Sequence, residues 1–428
     1  MVSALGGTRT PNLLIRSQML YPLSYERRSD QCTRGVGRAG APRSLMPVEH
    51  GTTVWRDTAS AGVLAALEPG VPSDLDRRPD VLVVGGGVIG LATAALCMRA
   101  GLGRVVLIER ERLAAGASGS AAALLTPEAH VWTDPQAFVA LARASLQLLR
   151  ALDDEWDGAI GVETLDWLVA LPQAVPLDAE LGALVDVLDP DRAHAVEPEL
   201  GDVPGALRIR EQSRVHPLRL AAAFAARVGA AATGVEMRGV TTSGGRVIAV
   251  RTSHGDIHPG AVVFATGVAP KLPELPELAV PQRWVKGHLL ATVPAPFRLR
   301  TAVAALEGLV LQLAGGEIVA GGTLDEGDDG PAVRDDVIAG IRKALAALLP
   351  RTTDLEVGHA WCCFRPTTAD EQPVIDRVPG IENAWVTGGH FRTGILMAAA
   401  TGDVLARWIV TGRRPEGVAP FGLDRFDG

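Results

Sequence analysis

The sequence predicts an α/β protein, with a doubly wound sheet and an inserted, mostly antiparallel α+β domain. Strand and helix patterns alternate around a glycine-rich turn near Gly85, as they do in a sheet that helices cover. The strand patterns that follow Pro281 have the character of an antiparallel sheet. At 428 residues the chain is long enough for two domains.

Composition and charge argue against several classes of protein. Apolar residues make up 47% of the chain, as in an ordinary globular protein, and the net charge of -8 comes without a basic stripe, which argues against a nucleic-acid partner. The cysteines Cys32, Cys97, Cys362 and Cys363 form no CxxC pair. Structural zinc and a disulfide framework are therefore not expected, and a reducing cytoplasm fits best.

The N-terminal residues differ from the rest of the chain. Residues 1–45 are rich in Arg, Ser, Gly and Pro without an apolar period, and they predict a disordered or non-native extension. Two interpretations are open. The segment is a transit peptide, or the gene start has been placed too far upstream and the true start is Met46 or a later codon. Residues 46–79 are predicted to be a leader with one short helix, so we expect the folded core to begin at Asp80.

The apolar patterns predict the core elements in chain order. Asp80–Val84 predicts a buried strand, followed by a helix over Gly90–Ala100 and a strand over Val105–Ile108. Apolar residues at helical spacing predict a long amphipathic helix over Pro135–Trp156. The later predicted helices are Leu218–Val228, Val333–Leu349 and Ile395–Val410, and the later strands are Val247–Thr252, Ala261–Thr266, Trp284–Val293, Leu309–Leu313, Glu317–Gly321 and Trp385–Thr387.

One uncharged stretch has the length of a membrane span. Val81–Met98 runs for 18 residues without a charge, the lower limit for a spanning helix. Its β-branched start and its three spaced glycines favour a strand, a turn and a helix instead. No membrane span is expected.

The glycines of this stretch have the spacing of a dinucleotide-binding motif. Gly85 permits the tight turn, Gly87 lets the backbone approach a pyrophosphate, and Gly90 lets the helix pack closely on the strand. Glu109 ends the next predicted strand 19 residues after Gly90, where an acid binds the adenosine ribose. The combination predicts a Rossmann-type unit with the pyrophosphate at a helix N-terminus, and it leaves FAD and NAD open.

Two C-terminal segments resemble a known family. Trp361–Asp376 and Gly388–Gly402 are similar to the closing blocks of the D-amino-acid-oxidase superfamily, nearest to glycine oxidase, with sarcosine oxidase as a cousin. Three shorter segments, Gly116–Leu124, Val263–Gly267 and Val285–Gly287, add to a resemblance that spans about 80–412. It implies FAD as the cofactor, with the turn at residues 388–394 offering N–H groups to the flavin.

The resemblance also implies which residues bind substrate and cofactor. Arg365 matches the main carboxylate clamp and Arg392 a second substrate-facing arginine, because a guanidinium fork suits a carboxylate. A surface salt bridge is the alternative for each arginine. The implied cofactor residues are Gly85, Gly87, Val88, Ile89, Gly90, Glu109, Arg110, Ala117, Ser118, Ala122, Ala123, Leu124, Met237, Gly267, His390, Phe391, Arg392, Thr393, Gly394, Ile395 and Leu396.

The predicted domains interleave along the chain. The FAD-binding domain comprises residues 80–158, 209–276 and 359–428, and the substrate domain comprises residues 159–208 and 277–358. His390 lies close to the flavin by motif position, with a structural and a catalytic role both open.

Three positions depart from the family pattern. Leu309 stands where glycine oxidase has a substrate-facing tyrosine, so we expect a more apolar substrate pocket. Val319 stands near the position of the oxygen-activating lysine of sarcosine oxidase. Cys363 has the spacing of the cysteine that carries covalent flavin in sarcosine oxidase, but a small buried cysteine and non-covalent FAD are favoured.

The resemblance implies an enzyme that oxidatively deaminates a small amino acid or secondary amine. A hydride passes from the α-carbon to the flavin, the imine hydrolyses, and dioxygen takes the electrons to give hydrogen peroxide. Two alternatives stay open: an amino-acid dehydrogenase with a quinone or protein acceptor, and a non-catalytic FAD-binding subunit. No metal is expected in the site, and a homo-oligomer is compatible with the resemblance.

Overall fold

The computed structural model describes residues 51, 53–173, 183–305 and 308–426, so the extension predicted for residues 1–45 lies outside the described residues. The helices are α1 (Val54–Thr58), α2 (Ala61–Ala66), α3 (Val88–Arg99), α4 (Gln136–Glu155), α5 (Pro190–Val196), α6 (Pro217–Ala225), α7 (Asp335–Leu348) and α8 (Gly394–Thr411). The strands are β1 (Val81–Val84), β2 (Val105–Glu109), β3 (Leu124–Leu125), β4 (Glu163–Ala170), β5 (Val185–Leu188), β6 (Ala206–Arg214), β7 (Ala230–Thr233), β8 (Met237–Ser243), β9 (Arg246–Thr252), β10 (Gly255–Ile257), β11 (Ala261–Gly267), β12 (Gln282–Thr292), β13 (Ala302–Ala305), β14 (Gly308–Gln312), β15 (Ile318–Gly321), β16 (Val357–Thr368), β17 (Val374–Arg377) and β18 (Ala384–Gly388).

The first sheet has the strand order β17-β18-β11-β1-β2-β7. Its strands are parallel except for the edge strand β17. β1 is buried on both faces, as its run of valine and leucine predicts. Helices α3 and α8 pack against each other on one face. On the other face Leu82 and Val84 share a core with residues of the antiparallel sheet β10-β9-β8, which stands where a doubly wound fold has helices.

The second sheet has the order β16-β12-β15-β14-β13-β4-β6-β3, with β5 also paired to β6. Its described pairs are antiparallel except for β4 with β13, in agreement with the predicted antiparallel domain. Two strands cross predicted domain boundaries: β6 runs through 208/209 and β16 through 358/359. Arg365, which falls within the segment 359–428 predicted for the FAD-binding domain, therefore stands on a strand of the second sheet.

The segment before Asp80 belongs to the folded core, so the prediction of a leader over residues 46–79 is wrong for its described helical part. Val54, Trp55 and Leu67 are at most 1% exposed and join the main core. The Leu67 carbonyl also accepts a hydrogen bond from the amide of Leu113 at 2.9 Å. Helices of 5 and 6 residues are too short to show an apolar period, which is why the sequence pattern gave no sign of this packing.

Val81–Met98 forms β1, the glycine turn and most of α3, as the motif predicts. Among the described helices, Gly394–Thr411 alone has the length and apolar character of a membrane span, and 67% of it is buried inside the protein. That burial is typical of a core helix.

Candidate active site

The glycine turn between β1 and α3 leaves space for a ligand at one position. Gly85 has a φ of +114°, which favours glycine, and a Cβ on Gly90 would overlap the carbonyl oxygen of Gly85. A Cβ on Gly87 would instead meet only the Ser118 hydroxyl, at 3.4 Å. The fold itself thus requires Gly85 and Gly90, while the open space at Gly87, beside the first turn formed by Val88 and Ile89, fits a pyrophosphate.

Glu109 is held rigidly at the end of β2. One carboxylate oxygen accepts the Gly86 amide at 2.7 Å and the other accepts the Glu111 amide at 2.9 Å. Each oxygen has a further lone pair, so the carboxylate can still accept a ribose hydroxyl. The neighbouring Arg110 is exposed, 3.6 Å from a carboxylate oxygen of Glu111.

The buried Val235, which follows β7, lies against the end of β2, and the sequence analysis did not identify it. Its amide donates to the Glu109 carbonyl at 2.9 Å, and Met237 lies two residues further on, half-buried at the start of β8. Val235 carries no local signal in the sequence, because its place depends on pairing between distant segments.

The loop from Ala117 to Leu124 is fastened to the start of α3. Ser118 Oγ accepts the Val88 amide at 3.0 Å, and Ala123 has a φ of +66°. Two tryptophan side chains hold the loop from outside: Trp55 donates to the Ala121 carbonyl and Trp361 to the Ser120 carbonyl, each at 3.0 Å. The predicted residues Ala117, Ala122 and Leu124 are half-buried on this loop.

A second glycine turn brings the ends of β11, β16 and β18 together. Gly389 has a φ of +67° and its amide donates to the Gly267 carbonyl at 3.0 Å. Phe391, with a φ of +47°, donates to the Pro366 carbonyl at 2.8 Å. Helix α8 begins directly after this turn, and the amides of its first turn, Gly394 to Leu396, have no carbonyl partner within the helix. These N–H groups and the positive helix end fit the electron-rich edge of a flavin.

His390 is buried within this turn. Its side chain is 4% exposed, and Nε2 lies 3.1 Å from the Thr401 hydroxyl on α8. Burial lowers the pKa of His390 to about 3, so the ring is neutral at physiological pH. Its carbonyl accepts hydrogen bonds from both the amide and the hydroxyl of Thr393, at 2.9 Å each.

Arg365 lies on β16 with its guanidinium over the neighbouring strand β12. Its residue opposite on β12 is Val285, and the guanidinium reaches over Gly287 to the Thr323 carbonyl, where Nη1 donates at 2.8 Å. The residue is 9% exposed, and no carboxylate among the described residues forms an ion pair with it. The rest of its fork is therefore available to an anion.

Arg392 is a second arginine without an acid partner in the described chain. Its Nε is buried and unpaired, and its guanidinium lies 5.0 Å from the centre of the Phe391 ring. Burial, aided by the charge of Arg365 and opposed by the charges of Glu371 and Asp134, lowers the pKa of Arg392 to about 10. Two cations in one partly dry region favour the binding of an anion there.

Leu309 and Cys363 both lie on strands of the second sheet. Leu309 is half-buried on β14, and its Cδ2 lies 3.6 Å from where a Cβ on Gly322, next to Thr323, would stand. Cys363 is 2% exposed and pairs with Gly287 across the strands. Burial raises the pKa of its thiol, which disfavours the thiolate needed for covalent attachment.

Comparison with known proteins adds to this geometry. The model of the DAO family, described as FAD dependent oxidoreductase, matches residues 80–408. A glycine oxidase of Pseudomonas aeruginosa is 30% identical over 78% of this chain and 95% of its own length, and the hydrogen cyanide synthase subunit HcnC of that species is 27% identical over 82% and 97%. The crystal structure of glycine oxidase from Geobacillus kaustophilus matches with a TM-score of 0.71 and 26% identity, covering 81% of this chain and 98% of that one. L-proline dehydrogenase from P. horikoshii, at 19% identity and a TM-score of 0.73 over 82% and 99%, has a similar fold.

Proposed function

Since this chain belongs to the DAO family of FAD-dependent oxidoreductases, we propose that it oxidises the C–N bond of a small amine that bears a carboxylate. The observation that carries this proposal is the pair Arg365 and Arg392, two buried or half-buried cations without an acid partner among the described residues. A substrate carboxylate would supply the direct ion pair that neither arginine makes with a described residue.

The chain's own residues would bind the cofactor and orient the substrate. FAD, when bound, supplies the acceptor for the hydride that leaves the substrate's α-carbon. The turn at Gly87, the carboxylate of Glu109 and the α8 N-terminus would hold that cofactor. Arg365 would fix the carboxylate and thereby the direction of the α-carbon. His390 holds the turn through Thr401 and is not needed as a base if the amine arrives uncharged.

The finer identity of the substrate follows from Leu309. The apolar side chain of Leu309 lies beside Gly322, which precedes the Thr323 carbonyl that anchors Arg365. It favours an N-alkylated or larger amino acid over glycine. We propose dioxygen as the electron acceptor, with the imine hydrolysing in water and hydrogen peroxide as the second product. A dehydrogenase with a quinone or protein acceptor is the alternative, and Val319, at the position where the resemblance places a lysine, is the observation that favours it.

The test is anaerobic mixing of the FAD-loaded protein with amines that do and do not carry a carboxylate. We expect the flavin absorbance to bleach fastest with a carboxylated secondary amine. Arg365→Ala should chiefly raise KM and lower kcat/KM on the order of a hundredfold, because a charge-assisted bidentate contact is lost. Arg365→Lys should recover only part of the loss, since an ammonium lacks the fork.

Two results would count against the proposal. One is that amines without a carboxylate bleach the flavin as fast as those with one. The other is a kcat/KM for Arg365→Ala within about twofold of wild type, an effect far smaller than one charge-assisted hydrogen bond. Admitting air to the reduced sample and measuring hydrogen peroxide then separates the oxidase from the dehydrogenase alternative.

A further inference from the structure

No acid in the described part of the chain contacts Arg365 directly, but Asp325 contacts the residue that anchors it. The Thr323 carbonyl accepts Arg365 Nη1 at 2.8 Å, and the Thr323 hydroxyl donates to Asp325 Oδ2, also at 2.8 Å. We propose that Asp325 is a positioning residue, which orients Arg365 and compensates its charge by way of Thr323. The proposal rests on the function proposed above, in which Arg365 is the carboxylate clamp.

The segment that carries Thr323 and Asp325 is fixed against β12. The His288 amide donates to the Thr323 hydroxyl at 2.8 Å, and the Gly322 amide donates back to the His288 carbonyl at 2.8 Å. The Asp325 amide donates to the Lys286 carbonyl at 2.9 Å. The segment therefore continues the pairing of β15 with β12 beyond the end of β15, and the Thr323 carbonyl is held beside β12 where Arg365 reaches it.

The His288 side chain joins Asp325 to the backbone of Arg334. Nδ1 of His288 lies 2.7 Å from Asp325 Oδ2, and Nε2 accepts the Arg334 amide at 3.1 Å. A backbone N–H can only donate, so Nε2 acts as the acceptor here and Nδ1 faces the carboxylate. His288 therefore fixes the orientation of the Asp325 carboxylate.

The carboxylate of Asp325 is ionised in its half-buried setting. Burial by itself would raise its pKa, but the hydrogen bond and electrostatic attraction of His288, the hydrogen bond from Thr323 and the charge of Arg365 outweigh burial and hold the pKa below its usual value. A direct ion pair would occupy the guanidinium fork that a substrate carboxylate needs. Acting through Thr323, Asp325 stabilises the buried cation and keeps the fork open.

The experiment uses the full chain loaded with FAD and acetate as a simple carboxylate probe. Acetate binding is followed by the change in flavin absorbance, and KM and kcat are measured for the best carboxylated amine. Asp325→Asn keeps the size of the side chain and removes its charge. We expect its acetate Kd and its KM to rise about tenfold, within the usual range of coupling between two sites, with kcat within about twofold. The KM for a carboxylate-free amine should not move, which a merely structural defect would not achieve.

Two further variants make the test specific. Thr323→Val removes the hydroxyl that links Asp325 to the anchor and leaves the carbonyl in place, so it should weaken acetate binding in the same way. Glu326→Gln makes the same change of charge one residue away, in an exposed pair with Arg283 at 3.2 Å, and should leave both constants unchanged. If Asp325→Asn does not fold with FAD bound, Thr323→Val decides the question.

The outcomes separate this proposal from the one on which it rests. If Arg365→Ala abolishes acetate binding while Asp325→Asn and Thr323→Val both bind acetate like wild type, the positioning role is overturned and the clamp stands. If Arg365→Ala itself binds acetate like wild type, the proposed function falls. A tenfold loss in Glu326→Gln would show that net charge in the loop, not Asp325, sets the affinity.

Discussion

The guanidinium of Arg365 lies across Gly287, in space that any side chain at position 287 would fill. A Cβ on Gly287 would overlap both terminal nitrogens of Arg365 and the carbonyl oxygen of Thr323. Because the oxygen belongs to the backbone, the overlap cannot be relieved by a side-chain rotation alone. Only a glycine at position 287 therefore leaves room for the Arg365 guanidinium in its observed position.

We expect Gly287→Ala to displace Arg365 while the protein keeps its FAD. The KM for a carboxylated amine should rise at least about tenfold, because the bidentate geometry of a charge-assisted contact is lost. Steady-state kinetics and the ratio of flavin to protein absorbance measure the two effects. Gly340→Ala is the control, since a Cβ there meets nothing within 4 Å on helix α7, and it should leave KM unchanged. An unchanged KM in Gly287→Ala would show that Arg365 does not need a glycine at position 287 to bind the carboxylate.

A substitution at Gly87 should impair binding of the cofactor without impairing folding. Since a Cβ at this position meets only the Ser118 hydroxyl at 3.4 Å, we expect Gly87→Val to fold and to lose FAD, because its side chain takes the space of the pyrophosphate. Absorbance of the purified protein and its melting temperature without cofactor measure these outcomes. Gly116→Val, with nothing within 4 Å, should stay yellow. Stoichiometric FAD in Gly87→Val would contradict the assignment of this turn.

The parts of the site that follow from residue type could be predicted, and the matched family confirms the resemblance that they carry. Gly85, Gly90 and Glu109 are such cases, because backbone sterics and a fixed spacing along one β-turn-α unit select them. Thr323 could not be predicted, because its role is played by a backbone carbonyl that every residue type has. Trp361 is similar: its hydrogen bond joins residues 241 positions apart.

The antiparallel sheet β10-β9-β8, which covers one face of the first sheet, shows the same limit of prediction from sequence. The strands β8 to β10 were predicted only in part, at Val247–Thr252, and their packing on Leu82 and Val84 depends on contacts far apart in sequence. Local patterns fix which residues are apolar, but not which partner covers them.

Trp55 tests whether the segment before Asp80 is part of the fold. The side chain is 1% exposed and donates to the Ala121 carbonyl at 3.0 Å. We expect Trp55→Ala to reduce the free energy of unfolding by about 3–5 kcal/mol, through the cavity it leaves. Chemical denaturation measures the change, and Trp284→Ala, at a side chain 42% exposed, should cost much less. Equal free energies of unfolding for Trp55→Ala and wild type would mean that the segment before Asp80 does not contribute to the stability of the fold.

Cys363 tests how the flavin is held. The thiol is buried, its pKa is raised by that burial, and its strand neighbour across the ladder is Gly287. We expect acid precipitation to release the flavin into the supernatant, because covalent attachment requires a reactive thiolate. Cys363→Ala should hold the same amount of FAD. Colour that stays with the pellet in wild type and leaves it in Cys363→Ala would establish a covalent bond instead.

His390 makes the stability of the protein depend on pH. Burial lowers its pKa to about 3 from the usual 6.5, so between these values the unfolded chain binds a proton at His390 that the folded chain does not. Stability from this residue is therefore fully present above pH 6.5 and is lost as the pH falls towards 3, by roughly 1.4 kcal/mol per pH unit within that window. His216, whose pKa burial lowers to about 4, adds a second slope of the same sign.

The variant that isolates this effect is His390→Gln, whose amide can replace Nε2 beside the Thr401 hydroxyl but does not titrate. We expect it to be less stable than wild type at neutral pH, since the packing of the ring is lost, and to lose less stability per pH unit on acidification. Urea denaturation at several pH values between 4 and 7 gives the two slopes, and their difference cancels the carboxylates and His216, which titrate in both proteins. Parallel curves would mean that His390 takes up a proton in the folded state, and thus that the turn at residues 388–394 admits water to its ring.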